Sequence, residues 1–125
     1  MATHLFILGD ADQVRHGIDR LMLQGRLVEL RELSEALTQG IHQLLDALET
    51  RMGAEVLMGG GDDLLVRVPQ QAFSRSVMLE LAKNFQCHTG CSISFGVGAR
   101  LSIAYINLRR AKAERLVVCC QGLRI

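Results

Sequence analysis

The sequence predicts an α+β fold in which helices pack on one face of an antiparallel sheet. Three observations point to it: a short apolar run that suits a buried strand, two strand-like segments joined by glycines, and intervening stretches with apolar residues at helical spacing. The chain has 125 residues, of which 49% are hydrophobic and 22% charged. This composition is typical of one compact domain, which we expect to span residues 1–125.

The first strand and the first helix are predicted close to the start of the chain. The run Leu5–Leu8 is apolar throughout and is followed by Gly9 and Asp10, which is typical of a strand buried on both faces. Asp12 stands where the N-cap of a following helix would accept backbone N–H bonds. That helix is marked at helical spacing by Val14, Ile18, Leu21 and Met22.

A longer helix and a hairpin come next. We expect the helix to begin after Gly25 and to end near Gly53, with polar residues off its apolar face. That face is formed by Leu30, Leu33, Leu37, Ile41, Leu44 and Leu48. The strands Ala54–Met58 and Leu64–Val68 are joined by Gly59-Gly60-Gly61-Asp62-Asp63, a composition that favours a tight hairpin, and Pro69 closes the second strand.

The remaining elements complete a βααββαβαβ order. Another helix is marked by Phe73, Val77, Leu81 and Phe85. A strand over Cys91–Val97 precedes a last helix, and Leu116–Cys120 adds a final strand. The last helix is marked by Leu101, Ala104, Tyr105, Leu108 and Ala111. This order favours a ferredoxin-like palm, with a βααββαβ core followed by a C-terminal helix and strand.

Composition excludes several classes of function. The formal net charge is +1, and the chain has one tyrosine, four phenylalanines and no tryptophan, which argues against binding a nucleic-acid polymer. No apolar run approaches the ~20 residues that a membrane helix needs, and the short apolar start lacks the basic flank of a signal peptide. We therefore expect a cytoplasmic protein with no membrane partner.

Acidic residues follow two of the predicted strands. Asp10 ends the first strand, while Asp62 and Asp63 lie at the tip of the hairpin. In a palm these two places are neighbours, and clustered carboxylates are usually compensated by a divalent cation, with Mg²⁺ or Mn²⁺ favoured over zinc by oxygen ligands. The glycines before them would let a triphosphate approach the backbone. The alternative is structural, because Gly-Gly-Asp is also an ordinary turn and Asp12 an ordinary helix cap.

The near-zero net charge conceals an uneven distribution. Residues 100–125 carry a net charge of +5, and the rest of the chain carries −4. The basic residues of this segment are Arg100, Arg109, Arg110, Lys112, Arg115 and Arg124. An acidic part and a basic part together suit a metal-chelating anion such as a nucleoside triphosphate. A solvated helix with cations near its C-terminus is the alternative.

Three segments of the sequence resemble a known family. They are LFILGDADQVR at 5–15, MGGGDDLLV at 58–66 and SFGVGARLSIAYINLRRAK at 94–112. In this order they resemble the minimal CRISPR polymerase (mCpol) family. That family is related to the palm domains of GGDEF diguanylate cyclases and of the large subunit of type III CRISPR complexes.

The resemblance implies an enzyme and assigns roles to residues. Palm domains of this type condense nucleoside triphosphates into cyclic di- or oligonucleotide messengers, with release of pyrophosphate, in antiviral defence. By matching position, the metal would be held by Asp10, the Ala11 carbonyl, Asp62 and Asp63. The nucleotide would contact Gly60, Gly61, Lys112 and, more weakly, Arg15. This hairpin continues Asp63-Leu64 where the diguanylate cyclases have Glu-Phe, so guanine specificity does not carry over. The resemblance to the mCpol family implies ATP as the favoured substrate, which the residues themselves do not show.

The expected partners follow from this chemistry. Two sites facing each other in a symmetric homodimer are the simplest way to close a ring of two nucleotides. A separate effector that responds to the cyclic nucleotide would act downstream. The alternative function is a catalytically idle palm that serves as a nucleotide sensor or as an assembly module of a CRISPR-like complex.

Overall fold

A computed structural model describes residues 3–123 of the chain, so the basic residue Arg124 lies outside the described part. The strands are β1 (His4–Ala11), β2 (Glu55–Gly59), β3 (Asp63–Pro69), β4 (Ile93–Gly98) and β5 (Val118–Cys119). The helices are α1 (Val14–Leu23), α2 (Leu27–Met52), α3 (Arg75–Thr89) and α4 (Leu101–Glu114), with a 3₁₀ turn over Gln70–Ala72. The predicted element order and the α+β palm class are confirmed.

The five strands form one open sheet in the order β2-β3-β1-β4-β5. β1 is central and runs antiparallel to both β3 and β4, so its end is flanked on two sides. The final strand differs from the prediction, because β5 has only two residues and pairs with β4 in parallel. A parallel partner requires a crossover connection, which α4 supplies.

The main core lies between one face of the sheet and the helices α2 and α3. Alternate residues of β1 and β3 point into it, and the long apolar face of α2 covers them. Its members include Ile7, Leu48, Val66 and Phe95, all fully buried. α2 and α3 approach closely at Gly40, where a Cβ would lie 2.5 Å from Thr89 Cγ2. The buried face of the sheet therefore fixes the strands that carry the acidic residues.

α4 packs on the other face of the sheet, in contrast to the prediction that all helices share one face. Phe95 of β4 points into the main core, so its neighbour Gly96 points to the opposite side. There, a Cβ on Gly96 would overlap the α4 backbone at Ala104 and Leu108. Because glycine lets the helix and strand backbones touch, α4 is held at a fixed distance from β4.

The start of α1 also differs from the prediction. Asp12 does not cap this helix. Gln13 precedes Val14 with a left-handed backbone (φ 57°), and its side chain makes no capping bond. The Asp12 carboxylate instead accepts hydrogen bonds from Ser92 just before β4, from Ser94 in β4 and from Lys112 in α4. Asp12, which the local pattern predicts as a helix cap, therefore uses its side chain in long-range contacts instead.

The edge strand β2 is exposed along its whole length. Its pairing with β3 is interrupted by a bulge between Val56 and Met58. Arg67 and Glu55 form an ion pair beside this edge. Within residues 3–123 no helix is both long and apolar enough to cross a bilayer.

We predict that Gly96→Ala lowers the free energy of unfolding by about 1–3 kcal/mol, because the added methyl group must displace the α4 backbone. Urea denaturation measures this change. Gly17→Ala is the matched control, because a Cβ at this helical position lies 3.8 Å from Leu33, an ordinary contact distance. We expect that control to be as stable as the wild type or slightly more stable. Equal stability of Gly96→Ala and the wild type would contradict the close packing of α4.

Candidate active site

Three carboxylates meet at one end of the sheet. Asp10 in β1 lies opposite Asp63 in β3 in the antiparallel register. Asp62 is drawn to the same place, because its carbonyl accepts a hydrogen bond of 2.8 Å from the Ala11 amide. One carboxylate oxygen of each aspartate lies within 4.8 Å of those of the other two. The structure therefore brings together the three acidic residues that the sequence singled out.

The electrostatics of this acidic group favour a bound cation. Burial raises the pKa of Asp10, the bond from Lys112 opposes this effect, and the charges of Asp62 and Asp63 add to the rise. The net shift is upward, which means that the ionised form of Asp10 is destabilised. Three converging carboxylate oxygens are the donor set that hard divalent cations prefer, so the acidic group fits such an ion.

Lys112 reaches this group from α4 on the other face of the sheet. Its Nζ lies 2.6 Å from Asp12 Oδ1 and 3.1 Å from Asp10 Oδ2, and it also donates to the Asp10 carbonyl at 3.3 Å. Burial alone would lower the pKa of Lys112, but its bonds to Asp12 and Asp10 outweigh this and raise it. The lysine that the resemblance places on the triphosphate is therefore a fixed cation at the edge of the acidic group.

A first cleft opens beside the hairpin, between α1 and α2. It has a volume of about 590 Å³, and Gly61 and Asp62 form one end of it. Its walls are largely apolar, with Ile18, Met22, Leu30 and Leu37, while Arg15, Ser34 and Thr38 supply polar groups. The space beside Gly61 is open, since a Cβ there would meet nothing within 4 Å. This cleft suits a flat, mainly apolar group with a few polar edges.

A second cleft, of about 700 Å³, lies on the Lys112 side of the acidic group. Asp12 and Ser94 line it next to Lys112, and three further basic or titratable groups come from α1 and the end of α4. These are His16, Arg20 and Arg115. A cleft lined by several cations is suited to an anion such as a polyphosphate.

The basic residues of the last segment are not all directed at this cleft. Arg109 lies over the Tyr105 ring, 6.0 Å from its centroid, and Arg110 bonds to Gln121. Of the predicted nucleotide contacts, Lys112 lines the second cleft and Arg15 the first, so the structure does not bring these two side chains together. The sequence pattern gave His16 no catalytic role and did not identify Arg20 as a site residue. Their i, i+4 spacing on α1 was a weak signal, because nothing local shows that this face of α1 lines a cleft together with the end of α4.

Comparison with known proteins identifies the family. Residues 6–119 match the minimal CRISPR polymerase domain, mCpol. The chain belongs to the mCpol family. A search of curated protein sequences found no significant match.

Solved structures with the same fold extend the comparison. The mCpol chain is similar to a Csm1-Csm4 cassette in complex with pppApA (14% identity, TM-score 0.68, 90% of this chain and 19% of that one). It is also similar to a Csm1-Csm4 cassette in complex with AMPPNP (15% identity, TM-score 0.68, 89% of this chain and 19% of that one). A third similar structure is the GGDEF domain of DgcB from Caulobacter crescentus in complex with c-di-GMP (11% identity, TM-score 0.58, 93% of this chain and 76% of that one). This mCpol chain therefore spans about a fifth of the Csm1-Csm4 chains and shares the palm fold with all three.

We predict that Asp12→Asn destabilises this mCpol domain by about 1–2 kcal/mol at neutral pH in metal-free buffer. Burial alone would raise the pKa of Asp12, but the bonds from Lys112, Ser92 and Ser94 outweigh this and hold it below its usual value. A lowered pKa in the folded state stabilises the protein above the unfolded value of about 3.9, and this contribution is lost as the pH falls through the folded value. The difference from the wild type should therefore shrink in acid.

Urea denaturation between pH 7 and pH 3 measures that difference. Asp46→Asn is the matched control, because Asp46 is an exposed residue of α2. A destabilisation by Asp12→Asn that stays constant over this range would contradict the assignment.

Proposed function

We propose that the chain is a divalent-metal-dependent nucleotidyltransferase that condenses nucleoside triphosphates, ATP in preference, into a cyclic di- or oligonucleotide with release of pyrophosphate. The observation that carries this proposal is the position of the acidic group next to two clefts: Asp62 lines the apolar one, and Lys112, which is ion-paired with Asp10, lines the basic one. A nucleoside triphosphate matches this arrangement: its base suits the apolar cleft, its reacting phosphate suits the acidic group with a metal, and its outer phosphates suit the basic cleft. Membership of a family of polymerase and cyclase palms supports nucleotide cyclisation in general.

The residues divide the work by their positions. Asp10, Asp62 and Asp63, with the Ala11 carbonyl, would hold Mg²⁺ or Mn²⁺. When bound, the metal would activate a ribose hydroxyl and neutralise the leaving pyrophosphate. Gly61 would line the nucleotide where the hairpin leaves open space, and Arg15 would contact it from the first cleft. Gly60 faces Asp63, since a Cβ there would lie 2.5 Å from Asp63 Oδ1, and would contact the nucleotide only through its backbone. Lys112, together with the neighbouring Arg115, binds the outer phosphates through the second cleft.

The reaction balances as a transfer of a nucleotidyl group. The ribose hydroxyl of one nucleotide loses its proton to solvent and bonds to the α-phosphorus of another, while the bond from that phosphorus to the bridging oxygen of the β-phosphate breaks. Pyrophosphate leaves, and a second such step between the two ends closes the ring. Adenine is favoured because the related Csm1-Csm4 structures are complexes with pppApA, AMPPNP, ATP and cyclic oligoadenylates. We assign the cyclic product the role of a messenger in antiviral defence, read by a separate effector.

A second copy of the chain would supply the second site for ring closure. The corner between α1 and α2 exposes four large apolar side chains, with Leu23 at 89% and Leu27 at 68% exposure. The other two are Met22 and Val28. Met22 also lines the first cleft, so a copy docked on this corner would lie beside a cleft that Asp62 also lines. The proposed homodimer would cover this apolar surface next to the first cleft of each copy.

A second candidate function is an idle palm that senses a nucleotide or assembles with other proteins. It is favoured by the similarity to Csm1-Csm4 cassettes, which are complexes in which the matching region is a fifth of the chain. The two functions differ in one measurable quantity. An enzyme releases pyrophosphate, whereas a sensor binds ATP with metal and leaves it intact.

We predict that the purified protein, incubated with each nucleoside triphosphate and Mg²⁺ or Mn²⁺, releases pyrophosphate with ATP and forms a cyclic product detectable by mass spectrometry. Asp10→Asn and Asp62→Asn should each lower turnover by at least about 100-fold, because each removes a metal ligand. Asp46→Asn, on the exposed surface of α2, should keep wild-type turnover. Binding of ATP with metal but no release of pyrophosphate would favour the sensor.

We predict that Leu23→Asp shifts the dimer to monomer and lowers cyclic product about tenfold, because a charge replaces an apolar contact at the proposed interface. Analytical ultracentrifugation and product assays at equal protein concentration measure both effects. Leu79→Asp on α3, where the leucine is 43% exposed, is the control and should change neither. A wild type that is monomeric and fully active would contradict the dimer.

A further inference from the structure

The Asp12 carboxylate is clamped by the start of β4. Ser92 Oγ donates to its Oδ2 at 2.7 Å, and Ser94 Oγ donates to its Oδ1 at 2.8 Å. The Asp12 amide also donates to the Ser92 carbonyl at 2.8 Å. Ser94 is only 3% exposed, so this anchor lies within the packed part of the sheet. Two hydroxyl groups and one backbone bond therefore fix the carboxylate in position and orientation.

The fixed Asp12 carboxylate accepts a hydrogen bond from Lys112 and holds its ammonium group in place. The oxygen that accepts from Ser94 also accepts from Lys112 Nζ at 2.6 Å, a short bond between charged groups. The other contacts of this ammonium group are to Asp10, at 3.1 Å and 3.3 Å. A lysine side chain is long and flexible, and its end stays in one place only when fixed partners hold it. Asp12 is the partner at the shortest distance.

We propose that Asp12, clamped by Ser92 and Ser94, is a positioning residue that holds the Lys112 ammonium where the polyphosphate of the substrate binds. The inference rests on the proposed function, which places the outer phosphates in the second cleft. Asp12 lies outside the acidic group of Asp10, Asp62 and Asp63, and its oxygens are occupied by the two serines and the lysine. It therefore acts through Lys112 and does not itself touch the reacting atoms.

Two consequences follow from this clamp. Lys112 meets the phosphates already ordered, so binding does not have to restrict its side chain again. In addition, a lysine released from Asp12 would keep only its contacts to Asp10, whose carboxylate is needed in the acidic group. Asp12 thus gives the lysine a second anion, so the position of the ammonium group does not depend on Asp10 alone.

Lysine labelling tests the position of Lys112 without any nucleotide or metal. The chain contains two lysines, Lys112 and the exposed Lys83 on α3, so each sample carries its own reference. The protein is treated with a trace of acetic anhydride, and mass spectrometry of peptides gives the ratio of acetylation at the two sites. Acetic anhydride reacts only with the unprotonated amine, so a lysine whose protonated form is stabilised by neighbouring carboxylates, and whose nitrogen is poorly accessible, reacts slowly.

We expect Asp12→Asn to raise the ratio of Lys112 to Lys83 labelling at least about fivefold. The asparagine can still bond to both serines but lacks the charge that holds the lysine. Ser94→Ala should raise the ratio less, because Asp12 then keeps one serine. Asp46→Asn, an exposed change of the same kind on α2, should leave it unchanged. Equal ratios in Asp12→Asn and Asp46→Asn would overturn the proposal.

Nucleotide binding separates positioning from a merely structural role. Calorimetry uses AMP and the α,β-methylene analogue of ATP, whose bond between the α- and β-phosphates cannot be cleaved, each with Mg²⁺. Asp12→Asn should bind the triphosphate analogue about tenfold more weakly and bind AMP, which lacks the outer phosphates, unchanged. An equal loss for both nucleotides would overturn the proposal in favour of a general structural effect. If the wild type binds neither nucleotide, the proposed function fails, and the labelling ratio still decides whether Asp12 holds Lys112.

Discussion

The pairing of Asp10 with Asp63 across neighbouring strands is the constraint on which the rest of the site depends. Like charges placed opposite each other in an antiparallel ladder repel, and Asp62 adds a third charge at the same end. The main core fixes the register, so the strands cannot slip to relieve this repulsion. The fold must instead bring positive charge to the carboxylates, and it does so through Lys112.

The position of Lys112 next to the acidic group depends on how α4 packs at residues away from the charged side chains. α4 crosses the sheet on the face opposite to the main core, and its backbone rests on Gly96. Buried Asn107 donates to the Val97 and Gln121 carbonyls and so ties the middle of the helix to the end of β4. Small residues on a strand and one buried amide therefore determine where a cation lies two turns further along the helix.

Local patterns in the sequence were sufficient to predict most of the fold. The apolar run of β1, the long apolar face of α2 and the glycines of the hairpin each identify an element from neighbouring residues alone. The convergence of Asp10, Asp62 and Asp63 was also predictable, because both places are strand ends. What the sequence could not show was the face on which α4 packs or the partners of Asp12. Those partners lie 80 to 100 residues away, and an aspartate before a helix looks like a cap whatever it contacts.

The bulge in β2 has a consequence for the behaviour of the protein at high concentration. An exposed edge strand with apolar side chains can pair with a strand of another molecule, and repeated strand addition of this kind produces fibrils. The bulge between Val56 and Met58 disturbs the regular spacing that such stacking requires, and the nearby charges of Glu55 and Arg67 oppose a dry interface. The domain thus keeps an open edge next to its site while discouraging self-templated aggregation.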